Sequence, residues 1–247
     1  HQDGHSLLLS STVPNCVSYD SAFAYELAVI MHDGLTRMFT KQENVFYYLT
    51  CMNENYVHPA MPEGAEEGIR RGMYKIRAGA GSGEPLQLFG SGTILREVLA
   101  AADYLEAEYQ LAVDVWSVTS YSELRREGID CSRWNIRHPE ADPRVPYVAQ
   151  CLEGLNGPFV AASDYMRIVA DQVREWVPGQ YVTLGTDGFG RSDSRRALRK
   201  HFEVNRDNIV ITSLKALADD GRIDDQVVAK AIKSLELDPD KPNPVDS

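Results

Sequence analysis

Two rhythms of apolar positions run along this chain. Runs rich in apolar and β-branched residues stand at residues 12–19 (TVPNCVSY), 45–51 (VFYYLTC), 85–92 (PLQLFGSG), 111–118 (LAVDVWSV), 158–163 (PFVAAS) and 181–185 (YVTLG). Turn-forming residues bound each run, as expected of buried strands. Elsewhere apolar residues recur every three or four positions, the helical period. Phe23, Leu27, Ile30, Met31 and Met38 share one face of a helix expected over 21–39, with Asp20 as its N-cap. Ile94, Leu95, Val98, Leu99, Ala102 and Leu105 form a second stripe, and Tyr165, Val169, Val173 and Trp176 a third behind Asp164 as cap. Three short helices should close the chain: one from Asp193, one ending at Gly221, one starting near Asp224.

Strand, helix, strand over 12–51 reads as a crossover onto a parallel sheet. The segment MNENYVHPAMPEG (52–64), with two prolines and little periodicity, is the expected linker to a second α/β block. The fold class is therefore α/β, with one parallel-sheet piece over 1–62 and a second domain over 63–247. Two strands and one helix cannot cover both faces of a parallel sheet. The remaining strands of the first piece are expected upstream of His1. The absence of an initiating methionine carries the same expectation of a processed product or a piece of something longer.

Composition narrows the partners. With 36 Asp and Glu against 25 Lys and Arg, the net charge of −11 argues against a nucleic-acid backbone, which needs clustered cations. RSDSRRALRK (191–200) is a local exception, readable either as a solvated helix face or as a surface for an anionic partner. No apolar run approaches a membrane span, and the first 30 residues lack the pattern of a secretory signal. Cys16, Cys51, Cys131 and Cys151 form no CxxC pair. They read as reduced, mostly buried thiols of a cytoplasmic protein.

Three segments could carry chemistry. HQDGHS (1–6) sets His1 and His5 four apart around Asp3. It fits a metal site, a polar loop with hydrogen-bonded histidines, or a loop presenting a histidine to substrate, where an imidazole can move a proton near neutral pH. LGTDGFGRSD (184–193) is a strand followed by a glycine loop opening a helix, a place that favours anions. It lacks the order GxGxxG and a P-loop lysine, so a tight turn capped by Ser192 or Asp193 is the simpler use. NENYVHPAMPEG offers Asn53, Glu54, Asn55 and His58, which a linker explains equally. Trp116, Trp134 and Trp176 read as core, and 131–148 (CSRWNIRHPEADPRVPYV) as a long surface loop.

Taken together, HQDGHS, YDSAFAYELAVIMHDGLTRMF, NENYVHPAMPEGAEEGI and LGTDGFGRSDSRRALRKHFEV closely resemble the C-terminal part of one family. That family is the homodimeric, bacterial-type pyruvate dehydrogenase, the thiamine-diphosphate-dependent decarboxylating component of the pyruvate dehydrogenase complex. The resemblance implies that 1–62 ends a pyrimidine-binding middle domain and that 63–247 is a transketolase-like C-terminal domain. It implies a chain that decarboxylates pyruvate and passes the acetyl group to lipoyl groups of the dihydrolipoyl acetyltransferase. The partners implied are a second subunit and the N-terminal part of the parent polypeptide. Thiamine diphosphate and magnesium would belong to the full-length dimer. The family's magnesium motif, GDG, is absent, and TDGFG (186–190) is not it, so the main cofactor-binding residues and the metal ligands are expected outside this chain.

By the same resemblance His5 faces the substrate-derived part of the adduct, with Asp3 and His1 behind it. Gln2 stands where many members have glutamate, so a role needing a carboxylate there is not carried over. The isolated chain is expected to be inactive. A reading of another class, a non-catalytic α/β dimerisation or docking module, is compatible with the same residues.

Overall fold

A computed structural model describes residues 4–246. The first sheet has two parallel strands, β1 (Cys16–Asp20) and β2 (Phe46–Thr50). Helix α1 (Ser6–Ser11) precedes them and α2 (Ala24–Leu35) crosses between them, prolonged by one π-helical turn at Thr36–Thr40. Helix α3 (Ala65–Arg71) leads into the second sheet, made of β3 (Met73–Arg77), β4 (Pro85–Gly90), β5 (Ala112–Val118), β6 (Phe159–Ala162) and β7 (Tyr181–Leu184) in the order β3-β5-β4-β6-β7. Only β3 runs antiparallel to its neighbour. The remaining helices are α4 (Ile94–Tyr109), α5 (Tyr121–Arg137), α6 (Tyr147–Cys151), α7 (Arg167–Asp171), α8 (Arg195–His201), α9 (Arg206–Asp219) and α10 (Asp225–Ser234). The α/β class expected from the pattern is the class found.

Period-two alternation sorts the large sheet into two cores. Leu86, Leu88, Val113, Val115, Val160 and Ala162 face α4 and α9, whose Leu95, Val98, Leu214 and Leu217 are fully buried. Phe89, Trp116, Phe159 and Ala161 face the other way, against Leu124 of α5 and Val169 of α7. Edge-to-face packing joins Phe89 to Phe159 at 5.9 Å, and the Trp116 indole donates to Gln87 at 3.0 Å.

Several expected boundaries move. Asp20 does not cap a helix; it ends β1. Glu26, one turn into α2, reaches back instead to accept from the amides of Ala22 at 2.6 Å and Phe23 at 3.1 Å. Residues 131–137 end α5 rather than open a loop, because Tyr121, Leu124, Gly128 and Cys131 form a narrow buried stripe in an otherwise polar helix. The loop that remains is 138–146. Met166, not Asp164, stands at the start of α7, and Ser194 caps α8 by accepting from Ala197, which leaves Ser192 and Asp193 outside the helix. Helix α3 and strand β3 escaped notice, being short and flanked by the left-handed Gly64 and Gly72. Among the cysteines Cys16 and Cys131 are buried, Cys151 is half-buried and Cys51 is exposed, so burial holds for only two of the four.

Candidate active site

The parallel strands of both sheets end on one side of the molecule, where open α/β sheets gather their functional groups. Asp20 at the end of β1 accepts from the Thr50 hydroxyl at the end of β2 at 2.8 Å. Its carbonyl accepts from the amide of Gly92, after β4, at 3.2 Å, and its own amide donates to Thr119, after β5, at 2.8 Å. A Cβ on Gly92 would lie 2.5 Å from the Asp20 carboxylate, so only glycine fits there. Ser91 and Ser163, after β4 and β6, share a hydrogen bond at 3.1 Å.

Asp20 is 9% exposed, and its Oδ2 has no hydrogen-bond partner. Burial pushes its carboxyl up to about 7, against the pull of the Thr50 and Ser91 hydroxyls, with Asp164 and Glu26 adding to the rise. A cavity of about 30 Å³ adjoins it, lined by Asp20, Thr50, Cys51, Thr93, Asp164 and Tyr165 among others. Glu26 is fully buried as well but is well supplied with donors, for Tyr74 and Ser117 donate at 2.7 and 2.6 Å besides the two amides. Burial still raises its carboxyl above the ordinary range. Neither acid stood out in the sequence. Asp20 could have been suspected from its place at the end of a parallel strand, while Glu26 lies inside an ordinary helical pattern.

The two glycine-bearing segments meet here. The Gly4 carbonyl accepts from Met166 at 3.0 Å, and a Cβ on Gly4 would stand 2.6 Å from the carbonyl oxygen of Thr186. Thr186, the first residue of TDGFG, is fixed in turn by its hydroxyl on the Asp164 carbonyl at 2.7 Å and its amide on Tyr165 at 2.9 Å. The loop after β7 therefore clamps the backbone immediately before His5, and His5 enters α1 with its side chain exposed. His1 and Asp3 lie outside the described residues.

The rest of the glycine loop is covered at Gly188, whereas Phe189 is 87% exposed and residues 190–194 are exposed as well. Gly188 adopts φ +100 and packs on the chain's end, where Val245 Cα would lie 3.0 Å from an added Cβ. Lys241 holds that tail by donating to the His201 carbonyl at 2.7 Å and to Glu203 at 2.8 Å.

The third candidate segment docks beside α8. Glu54 pairs with Arg199 at 2.5 Å and Arg96 at 2.9 Å, which holds its carboxyl below the usual range despite partial burial, and Asn53 accepts from Arg195. His58 accepts from the Ala24 amide at 2.9 Å and stacks on Tyr56, a structural use. The cationic run 191–200 is thus partly a set of internal ties, with Arg199 also reaching Glu97 at 3.3 Å. Among the described residues no group of three or more His, Cys, Asp or Glu is placed to hold a metal ion.

A family model described as "Pyruvate dehydrogenase E1 component middle domain" matches residues 1–59, and one described as "Transketolase-like TK C-terminal domain" matches residues 72–205. The second covers more than half of the chain. The chain belongs to the transketolase-like family. Proteins named pyruvate dehydrogenase E1 component from Escherichia coli (strain K12) and Pseudomonas aeruginosa are 57% and 54% identical to it, over 99% and 100% of this chain. The chain spans only 28% of the length of each. The resemblance to the bacterial-type pyruvate dehydrogenase drawn from the motifs is borne out by these matches. Among solved structures, a transketolase from Leishmania mexicana shares the fold at TM-score 0.58 and 16% identity, covering 89% of this chain and 28% of its own. A structure titled "Split gene transketolase, inactive beta4 tetramer" does so at TM-score 0.51 and 19% identity, covering 88% of this chain and 62% of its own. No helix among the described residues is long and apolar enough to cross a membrane.

Proposed function

We propose that this chain forms one wall of the active site of a pyruvate dehydrogenase decarboxylating component. In the overall reaction the bond from the keto carbon of pyruvate to its carboxylate breaks and carbon dioxide leaves. The acetyl group ends as a thioester on one sulfur of a lipoyl disulfide, the other sulfur leaving as a thiol. The observation that carries this reading is the clamp of Gly4 on Thr186, which fixes the backbone beside an exposed His5 at the C-terminal edge of the sheets. An imidazole held there can orient a polar substrate atom or pass it a proton. Asp3 and His1 belong to the same segment and would steer the His5 ring.

Thiamine diphosphate and magnesium are the cofactors on this reading, in a homodimer in the cytoplasm, and the residues of this chain do not fit either group. The metal lacks a ligand cluster among the described residues, and the glycine loop after β7 holds Gly188 against the tail and has no P-loop lysine for a diphosphate. We therefore assign this chain no step through them. Residues 1–62 close the middle domain and 63–247 form the C-terminal domain, and both need the N-terminal remainder and a second subunit. Alone, the chain is a non-catalytic α/β module. Calorimetric titration of the 247 residues with thiamine diphosphate and magnesium should show no binding. Micromolar binding would overturn this placement of the cofactor.

The role of His5 is tested in the full-length dimer. His5→Ala should lower kcat by about 10²-fold or more with the thermal transition unchanged. His5→Gln, which keeps a hydrogen-bonding end but cannot carry the proton, separates orientation from proton transfer. Wild-type kcat in His5→Ala at equal cofactor saturation would remove His5 from the site.

A further inference from the structure

Helix α5 turns two unlike faces to its surroundings. Tyr121, Leu124, Gly128 and Cys131 point inward, with Gly128 so close to the Trp176 ring that a Cβ would meet it at 2.6 Å. The opposite face carries Arg125, Ile129, Arg133 and Arg137 at successive four-residue intervals, with Ile136 beside them. Four residues advance a helix by about 40°, so these side chains fill one arc of about 120° over roughly 18 Å. Ile129 is 43% exposed and Ile136 81%.

The acids of α5 are already engaged elsewhere. Glu123 pairs with Arg126 at 2.8 Å, Glu127 with Arg71 at 3.5 Å and the Tyr147 amide at 2.9 Å, and Asp130 faces Arg144 at 3.8 Å. No ion pair ties down Arg125, Arg133 or Arg137 among the described residues. On a chain of net charge −11, three uncompensated arginines interleaved with exposed isoleucines form a local basic and apolar surface.

This face also adjoins the site. Arg125 and Ile129 line a cleft of about 120 Å³ together with Ser11 and Gln172. Ser11 is the last residue of α1, and His5 stands at the other end of that helix, about 9 Å away along six residues.

We propose that the α5 face is the docking surface for the domain that carries the acyl acceptor, a partner whose own contact face pairs carboxylates with an apolar patch. The inference rests on the acetyl-transferring reading above, in which that partner is the lipoyl domain of the acetyltransferase. Arginines around the rim of the contact draw the acidic partner in and make the encounter sensitive to salt. The isoleucines supply the apolar contact once it has arrived.

The test uses the full-length dimer with the isolated lipoyl domain as probe. The triple variant Arg125→Glu, Arg133→Glu, Arg137→Glu should lower kcat/KM for acetylation of the lipoyl domain by about 10-fold or more and flatten its salt dependence. Pyruvate oxidation with a small oxidising dye should stay at the wild-type rate, and sedimentation should still report a dimer. Ile136→Ser, at a position exposed enough to leave folding untouched, should raise KM for the domain alone. Unchanged kinetics with the domain in both variants would overturn the proposal. Dissociation of the dimer by the triple variant would overturn it too, by making α5 a subunit contact. A wild-type dimer that fails to oxidise pyruvate with the dye would instead sink the acetyl-transferring reading, whatever the variants do.

Discussion

In the five-stranded sheet, β4 and β6 bury their side chains on both faces, whereas β2 of the two-stranded sheet leaves Phe46 46% and Tyr48 36% exposed. Parallel strands need cover on both sides. The larger sheet finds it within the chain, from α4 and α9 on one face and α5 to α7 on the other. The smaller sheet finds it only for β1, from α1 and α2 of its own region and from α3 and α5 of the second. Ser120 donates to the Ser18 carbonyl at 2.6 Å, Arg126 to the Cys16 carbonyl at 2.9 Å and the Asp20 amide to the Thr119 carbonyl at 2.8 Å, and the buried Asp20 and Glu26 sit in this polar seam. One region is a core covered on both faces of its sheet, the other a partial layer fastened to it by hydrogen bonds and by the apolar contact of Val17, Tyr19 and Ile30 with Ile69 and Tyr74. The candidate site lies where the two are fastened.

The largest effect should come from opening the core of the five-stranded sheet. Phe159→Ala removes a ring that is fully buried against Phe89 and Tyr181, and truncations of this kind cost about 3–5 kcal/mol. Urea denaturation of the chain should lose that much. A loss under about 1 kcal/mol would mean the two regions differ less in packing than their burial indicates.

The seam should respond to pH. Folded, Asp20 keeps its proton up to about pH 7, while its ordinary carboxyl value is 3.8. Below that value both states are protonated and the full contribution to stability is present. As pH rises through 7 the unfolded chain has already released its proton, and the contribution is lost, at most about 4 kcal/mol in all. Asp20→Asn stays neutral throughout and can still accept from Thr50. Its stability relative to wild type should therefore climb by about 1–3 kcal/mol between pH 4 and pH 8. A difference flat with pH would show that Asp20 is ionised in the fold and that the seam is wetter than it looks.

Much of this was legible beforehand where local pattern and tertiary environment agree. The strands at 85–90, 112–118, 159–162 and 181–184, and the stripe from Ile94 to Leu105, follow from runs and periods that the sheet and α4 then bury. Legibility failed where a neighbour overrides the local signal. Asp20 has the sequence of a cap but the position of a buried strand end, because Thr50 and Gly92 come to it from distant segments. Helix α5 was half missed because its buried stripe is only four residues wide and Gly128 hides within it as a packing contact for Trp176. VFYYLTC read as buried on both faces, since an apolar run does not tell which faces will be covered. Of the candidate site, the two glycine segments were each visible, but their contact, Gly4 on Thr186 across some 180 residues of sequence, is a property of the fold alone.

The smallest effect is the one that sharpens the contrast most. Phe46 and Tyr48 point out of β2, while Tyr47 and Leu49 point in, with Tyr47 stacked on Tyr19 at 6.0 Å. Phe46→Ser gives up little burial in the chain as it stands, so its stability should remain within about 0.5 kcal/mol of wild type. The same change in the full-length polypeptide should cost about 2 kcal/mol or more if upstream strands cover that face, since an aromatic ring then leaves a packed environment. Equal costs in the two settings would make β2 an edge in both and leave the smaller sheet a two-stranded layer. A large cost in the short chain alone would point to self-association through the outward face of β2, which urea midpoints that shift with protein concentration would reveal.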